Sequence, residues 1–151
     1  MPVKGKEEHD REMALKSAAT IPADLSNFDL PERMDESGQV GFAKGITAIR
    51  DGEFYLAHDL WEDVWHGYRP SDRLFLQGLI HIAVGSYHVQ CQNARGSHSQ
   101  LGKAITKMRP FGPRHWGIDV NRILARVEDL QQASVTGPDI QAFLNAVQKG
   151  L

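Results

Sequence analysis

Cysteine is nearly absent from this chain. Cys91 is its one thiol, which excludes an internal disulfide framework and suits a reducing compartment. Long hydrophobic runs are also missing. Nothing approaches the ~20 consecutive apolar residues that a bilayer span needs, so no membrane partner is expected. Residues 1–11 are charged and lack the apolar stretch of a secretory signal. These absences place the protein in the cytoplasm. One sign of charge does not dominate either: the formal net charge is −2, whereas a nucleic-acid-binding domain usually shows a basic balance. Finally, no segment alternates β-branched and polar residues between turn signals, so strands are not expected.

What is present is a chain of 151 residues, 41% apolar and 24% charged, a length and composition suited to one soluble globular domain. Its charge is unevenly spread. Residues 1–36 hold nine acidic and five basic side chains. Prolines 22 and 31 and scattered Asp and Ser interrupt any period there after a short helical stretch, Lys4 to Ala19. Residues 1–37 therefore read as an acidic N-terminal arm, extended or partly disordered, and 38–151 as a helical domain.

From Gly38 the apolar residues fall at helical spacing. The pattern predicts helices over 39–51, 53–66, 71–91, 93–109 and 120–132. A sixth, short helix is expected after Pro138, on the stripe Ile140, Phe143, Leu144 and Val147. Stops are supplied by Asp51-Gly52, by Gly67 with Pro70, and by the stiff loop Pro110, Gly112, Pro113. Short connections imply antiparallel neighbours. The expected fold is all-α: a compact bundle of five to six antiparallel helices, made of two helical hairpins followed by C-terminal helices.

The third predicted helix is apolar around most of its circumference, as a buried helix should be. Gly78 and Gly85 lie on one side of it, where a neighbour could approach closely. A narrow polar wedge remains. Gln77, His81 and His88 project within about 40° of one another at 100° per residue. On the second helix His58 and Glu62, an i,i+4 pair, sit at the edge of the arc that holds Phe54, Trp61 and Trp65. A buried polar group left without a partner costs on the order of 1–3 kcal/mol. The two edges are therefore expected to meet in one inter-helix cluster of His58, Glu62, Gln77, His81 and His88, with Trp61 and Trp65 as its aromatic neighbours.

Such a cluster has several uses. The plainest is a structural hydrogen-bond network. It could also shape a ligand pocket in a small binding or interaction module, and this is the leading functional expectation. Three imidazoles and a carboxylate (His58, His81, His88 and Glu62) would equally suit a divalent metal such as zinc, iron or manganese. A metal-dependent hydrolase is then the enzymatic alternative. No H-E-x-x-H or paired E-x-x-H motif specifies a metal, so no cofactor is expected outright. A third alternative lies between Arg95 and Arg126, where Arg95, Lys103, Lys107, Arg109, Arg114, Arg122 and Arg126 face only Asp119. That stretch could bind an anion or nucleic acid, but a solvated face is its simpler explanation. A homodimer through an apolar face of the first or sixth helix is compatible with the pattern. Cys91, with no basic residue before Arg95, reads as a small apolar filler rather than a nucleophile.

The stretch Gly52 to Trp65, G-E-F-Y-L-A-H-D-L-W-E-D-V-W, followed by F-L-Q-G-L-I from Phe75 to Ile80, resembles the pattern of a prokaryotic family, domain of unknown function 309. Asn93, Arg95, Gly96 and Gly117-Ile118-Asp119 extend the resemblance, which covers roughly residues 40–130. It implies a compact helical fold and no established activity. The family's motif positions correspond to His58, Glu62, Trp65, Gln77 and Gly78, and a histidine near His88 is common. Asp59 stands where the family usually has glutamate.

Overall fold

Asp35 begins the helical part of the molecule: its Oδ1 accepts a 2.7 Å hydrogen bond from the Gly38 N–H and so satisfies a first-turn donor. In the computed structural model, which describes residues 25–26 and 28–135, α1 runs Glu36–Arg50, α2 Phe54–Gly67, α3 Arg73–Gln90, α4 Ala94–Met108 and α5 Val120–Val135. A turn of 3-10 helix, Arg109–Phe111, and a hairpin of β1 (Arg114–His115) with β2 (Ile118–Asp119) separate α4 from α5. The architecture is the all-α bundle that the hydrophobic periodicity implies. The expected helices at Lys4–Ala19 and after Pro138 lie outside the described residues.

Each helix packs on the next in sequence, and α3 with α4 makes the largest interface. α3 is the central element, with Phe75, Leu76, Leu79, Ile82 and Ala83 at most 1% exposed. The reading of its glycines holds. A Cβ on Gly85 would stand 2.8 Å from Leu101 Cδ2, and one on Gly78 would strike Met108. Both neighbours are on α4, so these two positions set how closely the helices approach.

Two expectations needed correction. The first helix starts at Glu36 rather than Gln39, and residues just before it, read from sequence as part of the arm, are seated on the core. Phe28 meets Phe42 edge-on at 5.3 Å, and Met34 is 2% exposed. Such isolated apolar residues between prolines and acids have no period by which to be recognised. Strands were also not expected, yet β1 and β2 pair antiparallel around Trp116-Gly117, whose φ values are 52° and 81°. Positive φ at both central positions is the signature of a tight hairpin turn. Strands of two residues are too short to show alternation. Trp116 tolerates the left-handed backbone because its ring is buried, edge-on to Phe42, Tyr68 and Phe75 at 5.2–5.7 Å.

Candidate functional site

On α2, His58, Asp59 and Glu62 converge. Glu62 lies one turn on from His58 and shares its face of the helix, whereas Asp59, about 100° further round, reaches the His58 ring from the side. The His58 Nδ1 lies 3.4 Å from Asp59 Oδ1 and its Nε2 lies 3.3 Å from Glu62 Oε1. One nitrogen or oxygen from each of the three residues falls within 4.8 Å of the others. The His58 and Asp59 side chains are each 24% exposed and that of Glu62 46%, so the group is reachable from solvent. The hydrogen bond to Asp59 raises the His58 pKa, burial opposes it, and the charge of Glu62 adds to the rise.

Contacts with α3 bracket this group. Tyr55, 5.9 Å from the His58 ring, meets Tyr87 at 5.5 Å. At the other end the Arg73 guanidinium stacks 3.6 Å from the centroid of Trp65, and its Nη2 donates to the Trp65 carbonyl at 2.9 Å. Trp65 Nε1 and Arg73 Nε are both buried and without a hydrogen-bond partner among the described residues. Gln77, half-buried, stands one turn beyond Arg73 on α3.

The single five-residue cluster does not form. His81 turns to α4, where its Nδ1 lies 2.7 Å from Gln100 Oε1 and its Nε2 2.9 Å from Lys107 Nζ. Burial, together with the charges of Lys107 and Lys103, holds its pKa below the ordinary value. His88 lies 3.3 Å from Asn93 Nδ2 at the start of α4. The two histidines of the α3 wedge therefore face α4, where Gln100 and Lys107 hold His81 and Asn93 at the helix start lies beside His88. Trp61 is no pocket aromatic: it is fully buried and donates through Nε1 to the Phe42 carbonyl at 3.1 Å. Trp65 is covered by Arg73. Cys91 is exposed at the end of α3, not a filler of the core.

A second polar group was not apparent from the sequence. Asp72, 7% exposed, accepts from the Tyr68 hydroxyl at 2.6 Å and from Arg33 Nη2 at 2.9 Å, while Arg33 Nε donates to the Tyr68 oxygen at 2.9 Å. His115 Nε2 is buried 3.4 Å from Asp72 Oδ2 without forming a hydrogen bond. Burial pushes the Asp72 carboxyl up, but the hydrogen bonds from Tyr68 and Arg33 outweigh it and hold the pKa below its ordinary value. Burial lowers the His115 pKa despite the nearby carboxylate. Tyr68 and Asp72 are an i,i+4 pair around Pro70, the one local signal available; Arg33 and His115 have no sequence relation to them.

Beside this group lies a cleft of about 490 Å³ between α1 and α2, lined by Arg33, Val40, Lys44, Leu60, Asp63 and Tyr68 among others. It does not include His58, Glu62, Gln77, His81 or His88. In the basic stretch, Arg109 pairs with Glu128 at 2.7 Å and Arg114 donates to the Gly117 carbonyl at 2.9 Å. No helix among the described residues is long and apolar enough to cross a membrane.

Residues 42–100 match the family described as Domain of unknown function (DUF309), in agreement with the resemblance carried by A-H-D-x-x-E-x-x-W and F-L-Q-G-L-I. The match contains His58, Asp59, Glu62, Trp65 and Gln77, and also Tyr68 and Asp72. No curated protein and no solved structure matches the chain.

Proposed function

We propose that this chain, a member of the domain-of-unknown-function 309 family through residues 42–100, is a small binding module that holds a divalent transition-metal ion on α2. The observation that supports the reading is the convergence of His58, Asp59 and Glu62, with one donor atom from each within 4.8 Å. An imidazole nitrogen and two carboxylate oxygens suit Zn2+, Mn2+ or Fe2+. Three ligands from one helix leave further coordination positions to water or to a group on a partner. Water held there would be polarised, which is the form the hydrolase alternative would take.

Tag-free protein, stripped by chelator and then dialysed against Zn2+ or Mn2+, should retain one equivalent by elemental analysis. His58→Ala should weaken uptake measured by calorimetry by more than tenfold, since even a second-sphere partner is worth about 10–100-fold in metal affinity. His66→Ala, an exposed histidine on the same helix, should leave uptake unchanged. Equal affinity in the parent and His58→Ala would sink the proposal.

The cleft between α1 and α2 supports a second reading, a pocket for a small organic ligand, because its volume falls in the range of about 300–1,000 Å³ typical of such sites. Gly67 offers a direct test. Among the described residues a Cβ there would meet nothing within 4 Å, so Gly67→Leu should intrude on the cleft without straining the core. Fragments should shift the NMR amide signals of Gly38, Gly41 and Val64, and Gly67→Leu should abolish those shifts. Shifts spread over the whole surface, or unaffected by the substitution, would discard the pocket.

A further inference from the structure

His81 and Lys107 form a pair that the metal reading does not use. Lys107, half-buried on α4, directs Nζ to His81 Nε2 at 2.9 Å across the α3–α4 interface. An amine nitrogen that carries protons can only donate here. His81 Nε2 must therefore present its lone pair, and its proton resides on Nδ1, which lies 2.7 Å from Gln100 Oε1. Gln100 thus fixes a neutral tautomer with its basic nitrogen aimed at the lysine. No carboxylate pairs with Lys107 among the described residues, and Lys103, one turn away on the same helix, is an exposed cation.

We propose that Lys107 is a reactive amine that condenses with an aldehyde, with His81 as the base that takes its proton. Desolvated lysines beside another cation are the ones proteins use for imine formation, and Lys107 has both features: burial and the charge of Lys103 hold its pKa below the ordinary lysine value. In the step itself, a proton passes from Lys107 Nζ to His81 Nε2, and the freed lone pair forms a bond to the carbonyl carbon. The second nitrogen proton passes to the alkoxide oxygen to give the carbinolamine. The imidazolium returns its proton to that hydroxyl, which leaves as water, and a protonated imine and a neutral His81 remain. The half-exposed amine is accessible to such a reagent. The positive charge of Lys103 favours an aldehyde that carries an anionic group.

The test is competitive labelling of the intact chain with limiting pyridoxal 5′-phosphate, an anionic aldehyde, trapped by borohydride and quantified lysine by lysine by peptide mass spectrometry. Lys107 should be labelled at least about tenfold faster than Lys44 or Lys103, the low end of what a positioned base contributes. His81→Asn should bring Lys107 down to the rate of Lys103 without altering the latter, a readout that a merely structural histidine would not move. If His81→Asn fails to fold, Lys103→Gln serves instead, and should slow Lys107 severalfold by removing the like charge. Labelling of Lys107 at or below the rate of Lys103 in the parent protein would overturn the proposal. So would a Lys107 rate unaffected in the folded variant.

Discussion

Gly45→Ala should destabilise the bundle by about 3 kcal/mol or more, near the upper end of what overpacking a core costs. Gly45 is buried on α1, and a Cβ there would fall inside the indole of Trp61. The ring has nowhere to retreat: Trp61 is 0% exposed and anchored by its Nε1–H to the Phe42 carbonyl. In an exposed helix the same change would stabilise, since alanine surpasses glycine by ~1 kcal/mol as a helix former. The expectation is therefore a sign reversal that depends on one side chain. Trp61→Leu alone should lose several kcal/mol through its cavity and lost hydrogen bond. In that background Gly45→Ala should become neutral or stabilising, a strong negative coupling between the two sites. Urea unfolding of the four proteins measures the cycle. Additive losses would show that the close approach of α1 and α2 does not depend on the glycine.

What made the fold readable is the same physics. Helices whose apolar residues recur every three or four positions, such as Phe42, Ile46 and Ile49 in α1, can bury only one face, and short loops leave few ways to arrange such faces. The glycines of α3 announced a close neighbour and α4 supplied it. Features with no period were not readable. Phe28 and Met34 anchor the segment before α1 as single apolar residues among prolines and acids, and Trp116 takes a left-handed backbone where glycine or asparagine would be expected.

The candidate site was legible only within one helix. His58 and Glu62 are i,i+4, a spacing that places side chains together whatever the tertiary structure, and they are together. Gln77, His81 and His88 share a face of α3, but a polar wedge on a buried helix has two neighbours to choose between. Its choice depends on what each offers. On α4, Gln100 and Lys107 present an acceptor and a donor at the level of His81, while the carboxylates of α2 are already turned toward His58. No property of α3 alone distinguishes these outcomes.

Asp72 should matter most for stability among the polar residues, and the part of its contribution that depends on its charge should vanish in acid. Asp72→Ala removes the acceptor for the Tyr68 hydroxyl in a residue only 3% exposed, and it leaves a small void at the start of α3. Arg33, whose side chain is 57% exposed, can turn to water. The loss should therefore fall at about 2–4 kcal/mol at pH 7, below the cost of stranding a fully buried charge. Tyr68→Phe keeps the ring against Trp116 and takes away one hydrogen bond, so its cost should be nearer 1 kcal/mol. The pH dependence follows from the direction of the shift. Asp72 binds its proton less readily folded than unfolded, so its stabilisation is complete above the unfolded value near 3.8. It is lost as the pH falls through the lower, folded value. Denaturation midpoints of the parent and Asp72→Ala should stay a constant distance apart above the histidine range and separate slightly below it, because the Asp72 carboxylate partly offsets the burial that disfavours protonated His115. They should draw together as acidity passes the ordinary carboxylate range. A gap that persists undiminished to pH 2 would mean that the aspartate acts through its packing volume, and that the charge it shares with Arg33 and Tyr68 contributes nothing to holding the segment before α1, the end of α2 and the start of α3 together.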